Sequence, residues 1–447
     1  MRSPDIAILG GGESAVGAAI LAKKKGFDVW LSDIGIINEK YKNVLSNYGI
    51  RWEEKQHSKK LILSAEQIIK SPGIPDHVEI VKMAHELNIP VISEIEFAGR
   101  YTDAFKICIT GSNGKTTTTL LTGHILGNAG YNVGVAGNVG QSFAWQVAEK
   151  DHDYYVLEIS SFQLDGMYNF KADVAVLLNI TPDHLDRYNN QFENYVQSKF
   201  RIVQNQTAAD YFVYFQDDPV IAGQIKKMNI QSRLYPFSGN QHVNKGAWLK
   251  NEKTLVININ SETFEMEIKD LTLTGRHNIY NSMASAISAR LVDIRKEVIK
   301  QSLADFENIE HRLEHVSVVR GIEFINDSKA TNINSAWYAL ESINKPVIWI
   351  VGGMDKGNDY SQLTELVKNK VKSIVCLGKD NTRIHEAFGN IIPGIIETTS
   401  AEDAVKTAYY LGQKGDVVLL SPACASFDLF ENFEDRGQQF KKAVFDL

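Results

Sequence analysis

Thr110-Gly-Ser-Asn-Gly-Lys-Thr-Thr117 is the segment from which the fold class can be inferred. The apolar, β-branched run Phe105–Thr110 predicts a strand, and Lys115–Asn128 has a helical pattern that ends at Gly130. A glycine turn between a strand and a helix presents backbone N–H groups and the positive end of the helix dipole to a phosphate. The segment therefore predicts a phosphate-binding loop in an α/β sheet.

The side chains of this loop suit a nucleoside triphosphate and its metal ion. Gly111 and Gly114 let the backbone approach an anion. Lys115 would bring a cation to the β- and γ-phosphates, and Thr116 would bring a hydroxyl to Mg²⁺. The loop is a shorter variant of the standard P-loop, because Ile109 occupies the position six residues before the lysine where a glycine is usual. A plain glycine turn with a solvent-facing lysine is the alternative.

Strand and helix patterns alternate on both sides of this loop, which predicts a mainly parallel α/β architecture. One helical pattern covers Val16–Lys25. Between about residues 231 and 274 apolar and polar residues alternate, so we expect a small antiparallel sheet there. The predicted strands are Ile6–Leu9, Val29–Ser32, Leu61–Leu63, Phe105–Thr110, Tyr154–Ile159, Val174–Ile180, Val347–Val351, Ile374–Leu377 and Val417–Leu420.

The length predicts several domains, because 447 residues exceed what one ordinary hydrophobic core organises. We expect a Rossmann-like domain at 1–94 and a central domain at 95–308. The central domain would combine a P-loop ATPase-like parallel sheet with the small antiparallel sheet. A second Rossmann-like domain is expected at 309–447.

Composition excludes several classes of function. The formal charge of −7 argues against nonspecific nucleic-acid binding, which needs clustered lysine and arginine. Cys108, Cys376 and Cys424 are far apart and lie in or beside apolar runs, which is typical of buried thiols in a reducing compartment. No apolar run is long enough for a signal peptide or a membrane span. We therefore expect a cytoplasmic protein without membrane insertion. The protein is also expected to be a monomer, although composition does not determine this.

Acidic and histidine side chains follow the next two predicted strands. Glu158 comes directly after an apolar run, and His184 lies between Asp183 and Asp186 after Val174–Ile180. Ligands of open α/β sheets bind at the carboxyl edge, where these residues and the glycine loop would meet. Carboxylates there suit a hard cation. A solvated strand-end glutamate and a structural histidine are the alternatives.

Lys199 occupies the apolar face of a predicted helix, because Phe192, Val196, Lys199 and Val203 recur at helical spacing. The ammonium could reach water over an apolar stem. Alternatively, burial lowers the pKa of the lysine, and the neutral amine then reacts with carbon dioxide to give a carbamate that binds a second Mg²⁺. The residues alone favour the first interpretation.

The amino-terminal segment has a second glycine turn. Gly10-Gly-Gly-Glu-Ser-Ala fits G-x-G-x-x-A after a strand, and Asp33 follows the second strand. Taken alone this pattern is typical of a dinucleotide site, so an NAD-dependent oxidoreductase is one hypothesis. That hypothesis leaves Lys115 and its loop unexplained.

Nine motifs in a fixed order show that the chain resembles the Mur ligases of peptidoglycan synthesis, most closely the members that add D-glutamate. The resemblance covers nearly the whole chain. Each motif alone is weak, and their order is specific. They are Ser71-Pro-Gly-Ile, Gly111-Ser-Asn-Gly-Lys-Thr-Thr, Gly137-Asn-Val-Gly, Glu158-Ile-Ser-Ser-Phe-Gln-Leu, Asn179-Ile-Thr-Pro-Asp-His-Leu-Asp-Arg, Gly275-Arg-His-Asn, His311-Arg-Leu-Glu, Asn326-Asp-Ser-Lys-Ala-Thr-Asn and Ser421-Pro-Ala-Cys-Ala-Ser-Phe-Asp.

The resemblance implies an ATP site with two Mg²⁺ ions. Lys115, His184 and Lys199 would be catalytic, and Lys199 would be carbamylated. The metal ligands would be Thr116, Glu158, His184 and the Lys199 carbamate. The residues implied for ATP are Gly111, Ser112, Asn113, Gly114, Lys115, Thr116, Thr117, Asn278, Asn281, Arg312 and Asp327.

The resemblance also implies two further substrates, UDP-N-acetylmuramoyl-L-alanine and D-glutamate. The family's first glycine turn usually reads Gly-Leu-Gly with a following threonine, and this chain departs from it, so its individual UDP contacts are the least defined part of the expectation. The sugar nucleotide would contact Ser14, Asp33, Ser71, Gly73 and Asn138. D-glutamate would contact Lys329, Thr331, Lys356, Ser426, Phe427 and Phe433.

The implied reaction is ATP-dependent amide-bond formation through an acyl phosphate and a tetrahedral intermediate. A sibling ligase with another amino acid is the nearest alternative, and the absence of an Asp-Asn-Pro-Arg run disfavours the members that add diaminopimelate or lysine. A P-loop binding or transport module without ligase chemistry is the third. Without the resemblance, Asp327 reads as a helix cap and Lys356 as part of a solvated turn.

Overall fold

The computed structural model describes residues 3–260, 262–273, 275–306 and 310–447, which form three β-sheets with helices packed on them. The predicted mixed α/β fold class is confirmed. No helix in these ranges is both long and apolar enough to cross a membrane.

The first sheet is fully parallel, in the order β3-β2-β1-β4-β5. From β1 the chain adds β2 and β3 on one side, and then returns to place β4 and β5 on the other side. A crevice therefore opens between the carboxyl ends of β1 and β4. The strands are β1 Ile6–Leu9, β2 Val29–Ser32, β3 Arg51–Glu53, β4 Gln67–Lys70 and β5 Val91–Ile92. The helices are α1 Glu13–Lys24, α2 Glu39–Asn47, α3 Lys59–Ile62, α4 Glu79–Glu86 and α5 Glu94–Ala98.

One strand prediction in this sheet is wrong. Leu61–Leu63 was expected to be a strand, but Lys59–Ile62 forms the helix α3. The strand next to β1 is β4, where Ile68 and Ile69 are buried and pair with Ala7 and Ile8. The apolar run Leu61–Leu63 is too short to reveal its period, so the sequence pattern cannot separate the two states.

The central sheet has nine strands in the order β14-β13-β12-β11-β10-β9-β6-β8-β7. Its strands are β6 Phe105–Thr110, β7 Val133–Gly137, β8 Tyr154–Glu158, β9 Val174–Leu177, β10 Tyr211–Phe215, β11 Arg233–Ser238, β12 Gly246–Lys250, β13 Thr254–Ile259 and β14 Glu262–Glu267. The helices are α6 Lys115–Asn128, α7 Phe143–Glu149, α8 Ser161–Asp165, α9 Phe192–Phe200, α10 Pro219–Ile225, α11 Arg276–Leu291 and α12 Lys296–Asp305.

The expected antiparallel strands are β12, β13 and β14. They do not form a separate sheet. Instead, β12 pairs in parallel with β11, so the antiparallel part continues the edge of the parallel part.

The third sheet has the order β15-β16-β20-β17-β18-β19, with only β15 antiparallel to its neighbour. The carboxyl ends of β16, β20 and β17 therefore lie side by side. The strands are β15 Glu314–Val319, β16 Ile322–Asn326, β17 Val347–Val351, β18 Val371–Leu377, β19 Ile395–Thr398 and β20 Val417–Leu420. The helices are α13 Ile333–Ser342, α14 Thr364–Lys370, α15 Thr382–Phe388, α16 Ala401–Leu411 and α17 Phe433–Phe445.

The chain divides into two compact units. The first unit comprises Met1–Leu271 with Asn278–Phe306, and the second comprises Thr272–His277 with Glu307–Leu447. One hydrophobic cluster in the first unit contains apolar residues from both of its sheets. The helices α1 and α7 pack against each other within it, and a Cβ added at Gly17 of α1 would lie 3.0 Å from the Trp145 nitrogen of α7. The predicted boundaries at 94/95 and 308/309 stay predictions.

Candidate active site

The loop between β6 and α6 has the geometry of a phosphate cradle. Gly114 has a φ of +82° and precedes the first turn of α6. A Cβ at Gly114 would collide with the side-chain oxygen of Asn281, and one at Gly111 would lie 3.1 Å from Leu178. Only glycine fits at these two positions. The backbone N–H of Asn113 donates to the Asn179 side chain at 2.8 Å, which fixes the loop to the end of β9.

Lys115 is the first residue of α6 and lies along its own loop. Its Nζ donates to the carbonyl oxygens of Gly111 at 2.8 Å and Ser112 at 2.7 Å. Ser112 is held in turn, because its Oγ donates to the Thr181 carbonyl at 2.8 Å. The cation is thus kept beside the backbone amides that would face a phosphate.

A buried hydroxyl and a buried carboxylate meet next to this lysine. Thr116 Oγ1 donates to Glu158 Oε2 at 2.7 Å, and Asn138 Nδ2 donates to Glu158 Oε1 at 2.8 Å. Both Thr116 and Glu158 are almost fully buried. These hard oxygen atoms are the ligand type that Mg²⁺ prefers, so the donor set fits that ion.

Lys199 is fully buried behind the phosphate loop, with an exposed fraction of 2%. Its Nζ donates to the Gly111 carbonyl at 2.9 Å and to Thr110 Oγ1 at 3.2 Å. Burial lowers the pKa of Lys199 well below the usual value for lysine, and the nearby Lys115 lowers it further, while acidic neighbours offset part of the change. The ammonium does not reach water. The interpretation in which the lysine extends over an apolar stem to reach solvent therefore disagrees with its position.

His184 lies in the loop after β9, at the same carboxyl edge. Its backbone is left-handed, with a φ of +53°. The imidazole is 3.7 Å from the Asp183 carboxylate and meets the Phe162 ring edge-on at 5.2 Å. Thr181 bridges this loop to the phosphate loop, because its backbone N–H donates to Ser112 Oγ at 2.9 Å.

The asparagines of α11 border the start of α6. Asn281 Oδ1 accepts from Thr118 Oγ1 at 3.2 Å, and Asn281 Nδ2 donates to Asn278 Oδ1 at 3.1 Å. Both asparagines are buried. Asn281 lies beside the turn at Gly114, so these two asparagines border the phosphate loop, where a base attached to a bound phosphate could be recognised.

Four of the residues expected to bind the sugar nucleotide follow strands of the first sheet, and the fifth, Asn138, follows β7 of the central sheet. A Cβ at Gly10 would lie 2.9 Å from Ser71, so the ends of β1 and β4 face each other closely. Asp33 Oδ1 accepts from the Gly35 backbone at 2.6 Å. Ser14 is in the first turn of α1, and the Gly73 carbonyl accepts from Arg187 at 3.3 Å.

In the second unit, Asp327 follows β16 and is buried. Its carboxylate accepts from Ser421 Oγ at 2.9 Å and from the Leu313 backbone at 3.2 Å. Burial raises the pKa of Asp327 to about 7, and the guanidinium of Arg312 offsets part of that rise. Arg312 and Asp327 are therefore close neighbours within this unit.

The expected D-glutamate residues lie on loops at the carboxyl ends of β16, β17 and β20, except for Phe433, which is the first residue of α17. Met354 and Ala425 exchange two backbone hydrogen bonds, of 2.8 and 3.2 Å, which brings the loop of Lys356 beside that of Ser426. The Lys329 ammonium lies 5.0 Å from the Phe433 ring centroid. Ser426 is buried and Phe427 is exposed. Thr331 donates its backbone N–H to the Lys329 carbonyl at 3.0 Å.

Arg436 ties two of these loops together and was not predicted from the sequence. It is 1% exposed, and it donates to the Ser328 carbonyl at 2.8 Å, to Ser328 Oγ at 3.0 Å and to the Cys424 carbonyl at 3.2 Å. Burial lowers the pKa of Arg436 to about 10. Its spacing from Phe433 and Phe440 places it on the apolar face of α17, which is the signal that could have revealed it.

Family models match three parts of the chain. The MurD N-terminal domain matches residues 5–80, the Mur ligase middle domain matches 109–289, and the glutamate ligase domain of Mur ligases matches 311–424. Curated relatives include the UDP-N-acetylmuramoylalanine–D-glutamate ligases of Bacteroides fragilis, at 55% identity over 99% of both chains, and of Salinibacter ruber, at 40% identity over 99% of this chain and 98% of that one.

Solved structures share the fold. The UDP-N-acetylmuramate-alanine ligase MurC of Thermotoga maritima has a TM-score of 0.65 at 16% identity, with 99% of each chain covered. The MurF ligase of the same organism, in complex with ADP, has a TM-score of 0.61 at 16% identity, covering 96% of this chain and 99% of that one. The sequence matches confirm the predicted resemblance, and the chain belongs to the Mur ligase family, in the branch of the UDP-N-acetylmuramoylalanine–D-glutamate ligases.

Proposed function

We propose that the protein joins D-glutamate to UDP-N-acetylmuramoyl-L-alanine in an ATP-dependent reaction of peptidoglycan synthesis. The observation that carries this proposal is the convergence of Lys115, Thr116, Glu158 and Lys199 at one sheet edge, in a chain whose full-length relatives are D-glutamate ligases. Such an edge places cations and metal ligands around a triphosphate.

In the first step, the alanyl carboxylate attacks the γ-phosphorus of ATP, which gives an acyl phosphate and ADP. Lys115 and the amides of residues 111–116 hold the phosphate oxygens as charge redistributes. Asn278 and Asn281 would bind the adenine. Thr117, in the first turn of α6, is also expected to bind ATP. Arg312 and Asp327 are proposed to bind the nucleotide as well.

In the second step, the amine of D-glutamate attacks the acyl carbon and forms a tetrahedral intermediate, which expels inorganic phosphate. Thr331 and Lys356 would hold the α-carboxylate. Ser426, with the backbone at Phe427 and Phe433, would hold the γ-carboxylate, and Lys329 would balance its charge. Most of the acceleration would come from orienting three anionic ligands with fixed cations.

Mg²⁺ would supply charge neutralisation of the phosphates when bound, with Thr116 and Glu158 holding one ion and His184 with a modified Lys199 holding a second. The modification adds carbon dioxide to the neutral Lys199 amine and releases a proton, giving a carbamate. Lys199 suits this reaction, because burial and Lys115 lower its pKa and so favour the neutral amine.

We further propose that the predicted segments divide the substrates. Residues 1–94 would bind UDP through Ser14, Asp33, Ser71 and Gly73, residues 95–308 would bind ATP and place the muramoyl end at Asn138, and residues 309–447 would bind D-glutamate. All these residues belong to one chain, so we expect a monomer. The cysteines of the described residues are free and buried, which suits the cytoplasm.

Phosphate release from ATP tests the proposal. With UDP-N-acetylmuramoyl-L-alanine present, release should depend on D-glutamate and produce the amide. Lys115→Ala should lose that activity while still binding the sugar nucleotide, and Lys150→Ala, an exposed lysine, should match the wild type. Release that is indifferent to D-glutamate would contradict the ligase assignment and favour a P-loop ATPase of another kind.

A further inference from the structure

The glycine turn of the first sheet is linked to the central sheet by the carboxylate of Glu13. Glu13 directly follows Gly10–Gly12 and is the first residue of α1. Its Oε1 accepts from the backbone N–H of Ser142 at 2.9 Å. Ser142 is the N-cap of α7 and ends the segment 137–142, which we name the β7–α7 loop. One side chain thus spans from the turn to this loop.

A second carboxylate holds the same serine. Glu94 Oε1 accepts from Ser142 Oγ at 2.8 Å and from the Ala144 backbone at 2.5 Å. Glu94 is fully buried, and within the described part of the chain its Oε2 has no hydrogen-bond partner. Ser142 is therefore fixed from two directions, and among the residues that the structure describes only Glu13 links it to the end of the glycine turn by a hydrogen bond.

The other end of the β7–α7 loop is fixed to the metal-ligand carboxylate. Asn138 donates its backbone N–H to the Glu158 carbonyl at 2.9 Å and its side chain to Glu158 Oε1 at 2.8 Å. Gly137 and Gly140 have φ values of +101° and +71°, and a Cβ at Gly140 would lie 2.7 Å from the Val135 carbonyl. The loop is short, and a β-bridge pairs Ala136 with Gln141 across its base, although Asn138, Gly140 and Gln141 are exposed. We therefore expect a shift of Ser142 to reach Asn138.

We propose that Glu13 is a positioning residue that couples the glycine turn to the phosphoryl-transfer site. A diphosphate bound at the turn stabilises the position of the first residue of α1. Glu13 then holds Ser142, the β7–α7 loop holds Asn138, and Asn138 orients the Glu158 carboxylate that also accepts from Thr116. The inference rests on the proposed function, because it takes the turn as the UDP site.

Such coupling has a thermodynamic signature. If UDP at the turn improves the Glu158 geometry, it must raise the affinity for a magnesium–nucleotide complex, and the nucleotide must raise the affinity for UDP by the same factor. We expect a factor of about 5 or more, at the lower end of usual site-to-site coupling. Calorimetric titration with Mg²⁺ and a nonhydrolysable ATP analogue, with and without saturating UDP, measures it directly.

Two conservative variants separate the effect of side-chain length from the effect of charge. Glu13→Gln keeps the side-chain length and the acceptor oxygen for the Ser142 N–H, so its coupling factor should remain within about twofold of the wild type. Glu13→Asp keeps the charge but withdraws the carboxylate by one methylene, so its factor should fall to about 1. Glu13→Ala should lose the coupling as well. Glu86→Ala, an exposed glutamate of α4, is the matched control.

A direct contact between Glu13 and the diphosphate gives the opposite pattern. Removal of the charge in Glu13→Gln would then tighten UDP binding, and Glu13→Asp would resemble the wild type. That pattern, or a wild-type factor near 1, overturns the proposal. A purely structural role would lower the melting temperature of Glu13→Asp and leave its coupling factor unchanged, which overturns it too.

Turnover keeps this test separate from that of the ligase assignment. Coupling without D-glutamate-dependent phosphate release would leave the inference standing and contradict the proposed function. Normal D-glutamate-dependent release without coupling would support the proposed function and overturn the inference about Glu13. We expect Glu13→Asp to need a higher Mg²⁺ concentration than the wild type for half-maximal rate, and Glu13→Gln to need the same concentration as the wild type.

Discussion

The ammonium of Lys199 lies among the Thr110 hydroxyl, the Gly111 carbonyl and the Tyr195 ring, 5.2 Å from the ring centroid, and it has no exposure that would hydrate a full charge. A buried lysine has two ways to avoid an uncompensated charge. It can lose its proton, or it can become an anion beside a cation. The second way is the proposed carbamate.

The carbamate predicts that turnover depends on dissolved carbon dioxide. Removing carbon dioxide from the buffer should lower the rate of phosphate release, and bicarbonate should restore it. The rate should also fall as the pH decreases through the lowered pKa of Lys199, because the ammonium does not react with carbon dioxide. Lys199→Arg should be about 100-fold slower and insensitive to bicarbonate. A wild-type enzyme that ignores carbon dioxide would refute the modification.

The hydroxyl of Thr116 offers a second residue-level prediction. Thr116→Val keeps the side-chain shape but removes the group that donates to Glu158 and would bind Mg²⁺. We expect turnover to fall about 100-fold, together with a higher Mg²⁺ requirement. Thr119→Val is a matched control in the same helix, because Thr119 is buried and its hydroxyl finds no hydrogen-bond partner among the residues the structure describes. Equal rates for the two variants would argue against a metal role for Thr116.

At the scale of elements, α7 depends on the buried acid Glu94 at its amino end. Glu94 accepts hydrogen bonds from Ser142 and Ala144, yet burial raises the pKa of Glu94 from 4.5 to about 7. Between these values the folded chain binds more protons than the unfolded chain. The stability that the neutral carboxyl provides is therefore present at low pH and lost as the pH rises towards 7.

Thermal unfolding as a function of pH tests this assignment. The wild type should lose about 3 kcal/mol of stability from Glu94 between pH 4.5 and pH 7, in the approximation of one pKa unit per 1.36 kcal/mol. Glu94→Gln, which cannot ionise, should show a flatter profile and the higher stability of the two at pH 8. Parallel profiles for both proteins would show that Glu94 does not titrate in this range.

The elements could be predicted from the sequence wherever burial gives a clear pattern. β17 and β20 are apolar runs buried throughout, and β6 is buried over its last four residues. Their bounds match the expectation at Val347–Val351, Val417–Leu420 and Phe105–Thr110. β4 has only two buried residues between Gln67 and Lys70, so its pattern is too short to recognise. Local periodicity also does not show which strands pair, so the parallel pairing of β11 with β12 could not be predicted from the sequence.

The site could be predicted only where its residues are consecutive or belong to a familiar motif. Residues 110–117 are contiguous, so their chemistry is visible in the sequence. Arg436 and Ser328 are 108 positions apart, and Glu94 lies 48 positions from Ser142. No spacing rule brings such partners together, because the packing of whole sheets sets their distance. The residues that surround Lys199 could not be predicted from the sequence for the same reason.

At the scale of the whole molecule, two compact units imply more than one unfolding transition. We predict two calorimetric transitions in the ligand-free protein, since units with separate cores melt separately. Arg436→Ala should lower one transition, because it leaves the Ser328 and Cys424 carbonyls without their buried donor, at a cost of about 3 kcal/mol. The exposed Lys442→Ala should change neither.

Glu94→Gln belongs to the other unit and should shift only the other transition at pH 8. A single cooperative transition, or one that moves in both variants, would show that the two units unfold together. This comparison of unfolding transitions uses the ligand-free protein and requires no measurement of activity.

The contact at Gly17 limits how this protein can exchange parts with its relatives. The helix α1 approaches α7 so closely there that Gly17 must lack a side chain. A chimera that joins a foreign amino-terminal segment to this central sheet therefore needs a glycine opposite Ser142, because a Cβ there would collide with Ser142 Oγ and lie 3.0 Å from the Trp145 backbone nitrogen. A segment with a larger residue at that position would have to push the two sheets apart.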